Sequence, residues 1–281
     1  MKKSAFSLIE LSIVLIIIGI LIAGVMQGGN LVAMARLTSA RSFTAKSPVP
    51  NIDGLIAWYE TSTKSALKES EAYDNAKTTE WRDISPSSIV TKKNTLTKTA
   101  GSDVLYKAAG INKTPSLQFS GSGKISLASF YQGNSAQTTL FIVFRPTSGG
   151  SLRSILLDSF VGQNICSFGI KSNAANITAG INSSDATASF LSGSNYIVAA
   201  YFNGPSSGAY VNNASSFSPV NTDPGSNALT GLTIGSNQNG ANAFTGMISE
   251  VIIYNRPLKL QERKDVMNYL SKKYKIAVMG L

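Results

Sequence analysis

Few positions in this 281-residue chain set a charge in apolar surroundings, and Glu10 is the first of them. It heads a run, Leu11 to Ala35, that holds no charged side chain. An acid at the centre of a membrane helix costs about 2.5–3.5 kcal/mol on insertion scales, so Glu10 needs a partner. Two could serve. One is the positive end of its own helix dipole. The other is a cation on a neighbouring copy, where a buried pair would fix register. Other chemistries are excluded. The chain has no histidine, which removes His-based triads, His bases and the usual zinc ligands. Cys166 is the only cysteine and lies in an alternating stretch, Ile165 to Ile170, so it reads as a small buried hydrophobe with no disulfide.

Glycoside hydrolysis requires two carboxylates about 5–9.5 Å apart, on one strand or on adjacent strands. Glu250 reads as alone on its strand, and the segment Glu69 to Asp74 lacks strand alternation. No enzyme is expected. Sugar binding asks instead for aromatic faces beside amides and hydroxyls on loops. Trp81 with Asp83, Tyr131 within Phe130-Tyr131-Gln132, and Asn237 and Asn239 within Ser236 to Asn239 are the candidate ligand-binding residues. The competing reading puts Trp81 in the core and the Asn-rich loop in a solvated turn. Asp83, Asp158, Asp185 and Asp223 have no recognisable ligand spacing. No cofactor is therefore expected, calcium has no support in the sequence, and the metal question stays open.

These residues need elements to position them. Leu11 to Ala35 is 25 residues, about 37 Å as a helix, which exceeds a hydrocarbon core of about 30 Å. The helix is expected over 6–47, with its transmembrane part at about 11–35, until Pro48 and Pro50 end it as a stiff joint. Lys2 and Lys3 lie before the span and Arg36, Arg41 and Lys46 beyond it, so basic residues do not settle orientation. From Asn51 the pattern turns to short strands. They are expected at 54–59, 116–119, 138–145, 154–158, 195–203, 208–212, 229–235 and 246–255. Turns such as Ser148-Gly149-Gly150 and Asp223-Pro224-Gly225 separate them. Many strands without intervening helices predict an all-β antiparallel sandwich. A closing helix is expected from Lys259 to Tyr274, with Val266, Tyr269, Leu270 and Tyr274 on one face. The chain is 43% hydrophobic and 14% charged with net charge +10, and its charges are scattered, so nucleic-acid binding is not expected.

The N-terminal arrangement resembles the prepilin segment of type IV pilins and type II secretion pseudopilins: Lys2-Lys3, a small residue before Phe6, then Glu10 and the apolar run. The resemblance implies a leader over 1–5 cut between Ala5 and Phe6 by a prepilin peptidase, N-methylation of Phe6, and a filament-assembly role for Glu10. It also implies other pilin subunits as partners, and a bacterial inner-membrane location before assembly into an extracellular pilus. Ala5 departs from the usual glycine. A conventional cleaved signal, with its cut near Ala23-Gly24-Val25, is the alternative.

Residues 51–281 resemble a concanavalin A-like, laminin-G-type jelly-roll module. The carrying segments are Leu55 to Tyr59, Trp81 to Ser85, Pro115 to Gly121, Thr139 to Phe144 and Phe244 to Tyr254 with Asn255-Arg256-Pro257-Leu258. Lys259 stands where that family usually offers a capping Ser, so the cap must come from elsewhere. Ser120-Gly121 replaces an acid often found there, which removes support for a rim metal. Together the two resemblances imply a modular pilin whose head mediates adhesion by binding glycans on a host surface. A purely structural subunit and a secretion pseudopilin are the alternatives.

Overall fold

A computed structural model describes residues 7–86, 94–99, 101, 103–121, 123–131, 136–147, 154–159, 166–171, 174–179, 183–220, 223 and 228–281. Ala5, Phe6, Lys92-Lys93, Gln132, Ser148 to Gly150 and Pro224-Gly225 lie outside them, as do the side chains of Cys166 and Asp185.

The chain opens with a 38-residue helix, α1 (Leu8–Ala45). Ser7 caps it, its Oγ accepting from the Ile9 N–H at 3.3 Å. After Lys46, Pro48 and Pro50 cannot extend the ladder, and the backbone closes in a 3-10 turn, Val49–Asn51. The apolar half of α1 is bare, with Leu8, Ile16, Ile20 and Leu31 all more than 60% exposed. Its last turns are not: Ala40, Thr44, Ser47 and Val49 are buried against the domain that follows.

That domain is two antiparallel sheets. Sheet A holds β1 (Leu55–Glu60), β4 (Leu105–Lys107), β5 (Ser116–Phe119), β7 (Thr138–Pro146), β12 (Tyr196–Phe202), β13 (Gly208–Val211), β14 (Ser218–Pro219) and β16 (Gly246–Tyr254). Its order is β14-β13-β12-β7-β16-β5-β4, with β1 also paired to β16. Sheet B holds β2 (Glu80–Trp81), β3 (Leu96–Lys98), β6 (Ile125–Leu127), β8 (Ser154–Asp158), β9 (Cys166–Lys171), β10 (Ala174–Ala179), β11 (Ser183–Ser189) and β15 (Leu232–Ile234). Its order is β11-β10-β9-β8-β15-β6-β3-β2. Long-range partners such as β7 and β16 at the centre of sheet A make this a crossed-over sandwich rather than a meander.

The core lies between the sheets. Phe144 of sheet A meets Phe168 of sheet B edge-on at 6.5 Å, and Tyr59 meets Trp81 at 5.7 Å. Gly235 ends β15 at φ +98°, where a Cβ would sit 2.4 Å from the Phe119 ring, so only glycine fits this turn. The outer face of sheet A is covered by the closing helix, α2 (Leu260–Tyr274), and by the end of α1, where Thr44 Oγ1 lies 3.4 Å from the Tyr269 hydroxyl. The layers therefore run helices, sheet A, sheet B. Lys259 gives α2 no side-chain cap; Glu262 supplies the reciprocal half of a capping box, its carboxylate accepting the Lys259 N–H at 2.8 Å and holding Arg256 at 2.7 Å. Arg256 and that backbone N–H outweigh partial burial and hold the Glu262 carboxyl at about 2.

The expected helix, sandwich and closing helix are all present. Two-residue and three-residue strands such as β2, β3, β4 and β6 were not expected, nor were the polar strands β10 and β11.

Candidate functional site

At the N-terminus, Glu10 is the third residue of a capping box. Its Oε2 accepts the Ser7 N–H at 2.9 Å. One oxygen of the acid is thus engaged by its own helix end, while the helix around it stays exposed.

A second set of acids sits where α1 meets the head. Glu60 on β1 and Glu250 on β16 are direct cross-strand partners, both fully buried, and Lys273 of α2 lies between them. Lys273 Nζ is 3.0 Å from Glu60 Oε2 and 2.7 Å from Glu250 Oε2. Glu60 also accepts the N–H and hydroxyl of Ser62 and of Thr63. Glu250 accepts the Trp58 indole N–H at 2.7 Å and the hydroxyls of Tyr269 and Tyr274 at 2.7 and 2.8 Å. Burial alone would raise the Glu60 carboxyl, but Lys273 and the Ser62 and Thr63 bonds overcome it and hold the group at about 2. Burial would likewise strip the proton from Lys273, yet Glu250 and Glu60 push its pKa up. Both Tyr hydroxyls are pushed up by burial and by Glu250, so they remain donors. Glu250 looks solitary in the sequence because its partners are distant in the chain. This is the carboxylate pair on adjacent strands that hydrolysis would need, but its oxygens are saturated by protein donors. It is an ionic lock, not an acid–base pair open to substrate.

The five ligand-binding candidates separate. Trp81 is fully buried, its Nε1 donating to the Glu60 carbonyl at 2.7 Å, and so belongs to the core. Asp83 is also buried, accepting from Trp58 N, Ser85 N and Asn94 Nδ2 at 2.8–3.0 Å, while burial raises its pKa despite these bonds. Asn237 is buried as well, and its Oδ1 accepts the Ala241 N–H at 2.7 Å, so it shapes its own turn. Asn239 is exposed. Tyr131 is 58% exposed while its N–H is held by Asn94 Oδ1 at 2.8 Å. A buried relay, Asp83 to Asn94 to the Tyr131 N–H, thus anchors the backbone of an exposed aromatic.

Tyr131 and Asn239 cannot share a site. β6 and β15 are antiparallel, Leu127 facing Leu232 and Ile125 facing Ile234. Tyr131 follows Leu127 and Asn239 follows Ile234, so their loops leave opposite ends of the sheet. Sequence reading also missed a polar row across sheet B. Thr97, Ser126, Thr233, Asp158 and Ser167 are successive cross-strand partners, with Ser126 Oγ 3.3 Å from Thr233 Oγ1. Their strand neighbours Ile125, Ile234, Leu157 and Phe168 face the core, so the row faces away from sheet A and from both helices. Four of the five are buried. Short strands of three residues hid this pattern. No cluster of three or more metal-ligating side chains occurs among the described residues.

Comparison places this fold among known proteins. Residues 108–262 match the model of the concanavalin A-like lectin/glucanases superfamily, and the chain belongs to that superfamily. Residues 1–26 match the prokaryotic N-terminal methylation motif, the type IV pilin signal. No curated protein matches the chain significantly. Among solved structures, an α-L-arabinofuranosidase of family GH54 is similar with TM-score 0.56 and 11% identity, over 78% of this chain and 63% of that one. Domain 4 of AbnA, an extracellular GH43 arabinanase from Geobacillus stearothermophilus, in complex with arabinotriose, is similar with TM-score 0.53 and 15% identity. That match covers 76% of this chain and 98% of the domain. A Trypanosoma rangeli sialidase is similar with TM-score 0.53 and 16% identity, over 85% of this chain. The chain spans only 38% of that sialidase's length.

Proposed function

We propose that this chain is a modular type IV pilin subunit. It is held in the inner membrane by α1, cut between Ala5 and Phe6 and N-methylated on Phe6. It then assembles with other copies into an extracellular pilus through the apolar helix and Glu10. Its head, residues 51–281, serves adhesion by binding glycan and is not an enzyme. The observation that carries this reading is the division of the molecule: bare apolar helix and Glu10 at one end, and at the other a lectin-type sandwich with an exposed aromatic, Tyr131, beyond the end of β6. The glycan would be met at the Tyr131 rim, where the Asp83–Asn94 relay anchors the backbone that carries an exposed ring able to stack on a sugar. The arabinotriose complex of the Geobacillus domain lends this reading support. The saturated Glu60–Lys273–Glu250 lock argues against hydrolysis at that pair.

A purely structural subunit is the second reading. Four clefts of about 230–370 Å³ border α1, lined by residues such as Leu37, Arg41, Phe43, Met34 and Arg36. A glycan array probed with the detergent-solubilised chain separates the two. The adhesin reading predicts retention on a defined sugar class that Tyr131→Ala abolishes; a folded chain that binds no glycan favours the coat.

A further inference from the structure

Left-handed backbone marks a second surface. Among the described residues, every residue with positive φ is glycine or asparagine except two, Lys113 at φ 64° and Lys275 at φ 53°. Lysine is poorly suited to that region, which a glycine enters freely. Lys275 even occupies the position just after α2 where glycine is preferred. Both lysines line one open cleft, together with Arg36 of α1 and Asn112. Asn112 braces the cleft, its Nδ2 donating to the Tyr274 and Lys275 carbonyls at 2.8 and 3.2 Å. All three cations are exposed, and none takes part in an ion pair among the described residues.

The location gives the cleft a partner. An adjoining groove is lined by Ala33, Met34 and Leu37 of α1 and by Ala108, Ala109 and Pro115 of the head. The underside of the head is therefore level with the end of the charge-free run, Leu11 to Ala35. A bilayer core consumes about 20 residues of helix, so the headgroup layer falls at this level once α1 is inserted. We propose that Arg36, Lys113 and Lys275 form a seat for anionic phospholipid headgroups, holding the head against the bilayer surface before assembly. The inference rests on the reading that α1 spans the membrane. Each cation near such a surface strengthens docking by about fivefold, and added salt weakens it.

The test uses the full chain in phosphatidylcholine vesicles with and without phosphatidylglycerol. Flotation in alkaline carbonate reports insertion, and amide hydrogen exchange over residues 108–115 and 275–278 reports docking. Docking predicts exchange slowed about fivefold or more by phosphatidylglycerol, with the difference lost in high salt and in a Lys113→Gln, Lys275→Gly double variant. Lys275→Gly alone should raise the melting temperature while weakening the lipid effect, because it relieves the backbone and removes a charge. Equal exchange in both lipids, or a lipid effect that survives the double variant, overturns the proposal. A chain that fails to float in either vesicle overturns the membrane reading itself, and the seat with it.

Discussion

The apolar half of α1 and the junction where its last turns enter the head treat their carboxylates in opposite ways: Glu10 is exposed, whereas Glu60 and Glu250 are buried. Glu10 has one backbone donor, from Ser7, on a helix whose apolar side chains are bare. Glu60 and Glu250 share a lysine and take further bonds from Ser62, Thr63, Trp58, Tyr269 and Tyr274. An acid with spare acceptor capacity beside open apolar surface is fitted to meet something outside the subunit. Acids with none left are fitted to hold the subunit together. The difference suits the first region to the proposed assembly role and the second to architecture.

The sharpest way to break this contrast is to remove the shared cation. Lys273→Ala leaves two carboxylates facing each other in a dry site, and the head should lose about 3–5 kcal/mol in urea unfolding. A loss below about 1 kcal/mol would show that water reaches the pair. Acid probes the same lock more gently. Glu60 titrates at about 2 in the folded head against 4.5 when free. A depressed carboxylate contributes its stability above the free value and loses it as pH falls toward the folded one. Roughly 3 kcal/mol should therefore disappear between pH 4.5 and 2. Asp83, raised by burial, works in the opposite direction and gains stability on acidification. Glu60→Gln should flatten the acid limb of the unfolding curve; an unchanged limb would assign it to other groups.

Truncation tests where the architectural region begins. Sequence reading drew the head as 51–281, yet Ala40, Thr44, Ser47 and Val49 are buried in it, and Arg41 Nε donates to the Ser62 carbonyl at 2.8 Å. A fragment 51–281 should fold but be about 2 kcal/mol less stable than one that keeps residues 33–50, chiefly through loss of the buried Val49. Equal stability would place the boundary at the prolines. The smallest structural effect is expected at the rim. Tyr131→Ala should change stability by no more than about 0.5 kcal/mol while removing glycan retention. A large loss of stability would make Tyr131 a structural residue.

Much of this was legible in the sequence because long elements announce themselves. β7, β12 and β16 are runs of seven to nine residues rich in Ile, Val, Phe and Tyr, and they lie where the pattern puts them. β2, β3, β4 and β6 are too short to show any period, and β10 and β11, AANITA and SSDATAS, carry little apolar signal. Of the candidate ligand residues, Tyr131 and Asn239 are exposed, while Trp81, Asp83 and Asn237 turn inward because each fills its hydrogen bonds within the fold. The ionic lock escaped because Glu60, Glu250 and Lys273 come from three distant segments. One signal was present. Lys273 lies seven residues after Val266 and four after Tyr269, which places a charge on the apolar face of α2.

The proposed pilin role requires the N-terminal half of α1 to be an assembly element rather than a discarded signal. Mass spectrometry of the mature N-terminus, on protein recovered from sheared surface filaments, tests that most directly. The expected chain starts at Phe6 with a methylated amine and keeps Glu10. Glu10→Ala protein should accumulate in the membrane, folded, and be depleted from the filaments. A mature chain starting near Val25 or later, or Glu10→Ala entering filaments at the wild-type level, would contradict the account.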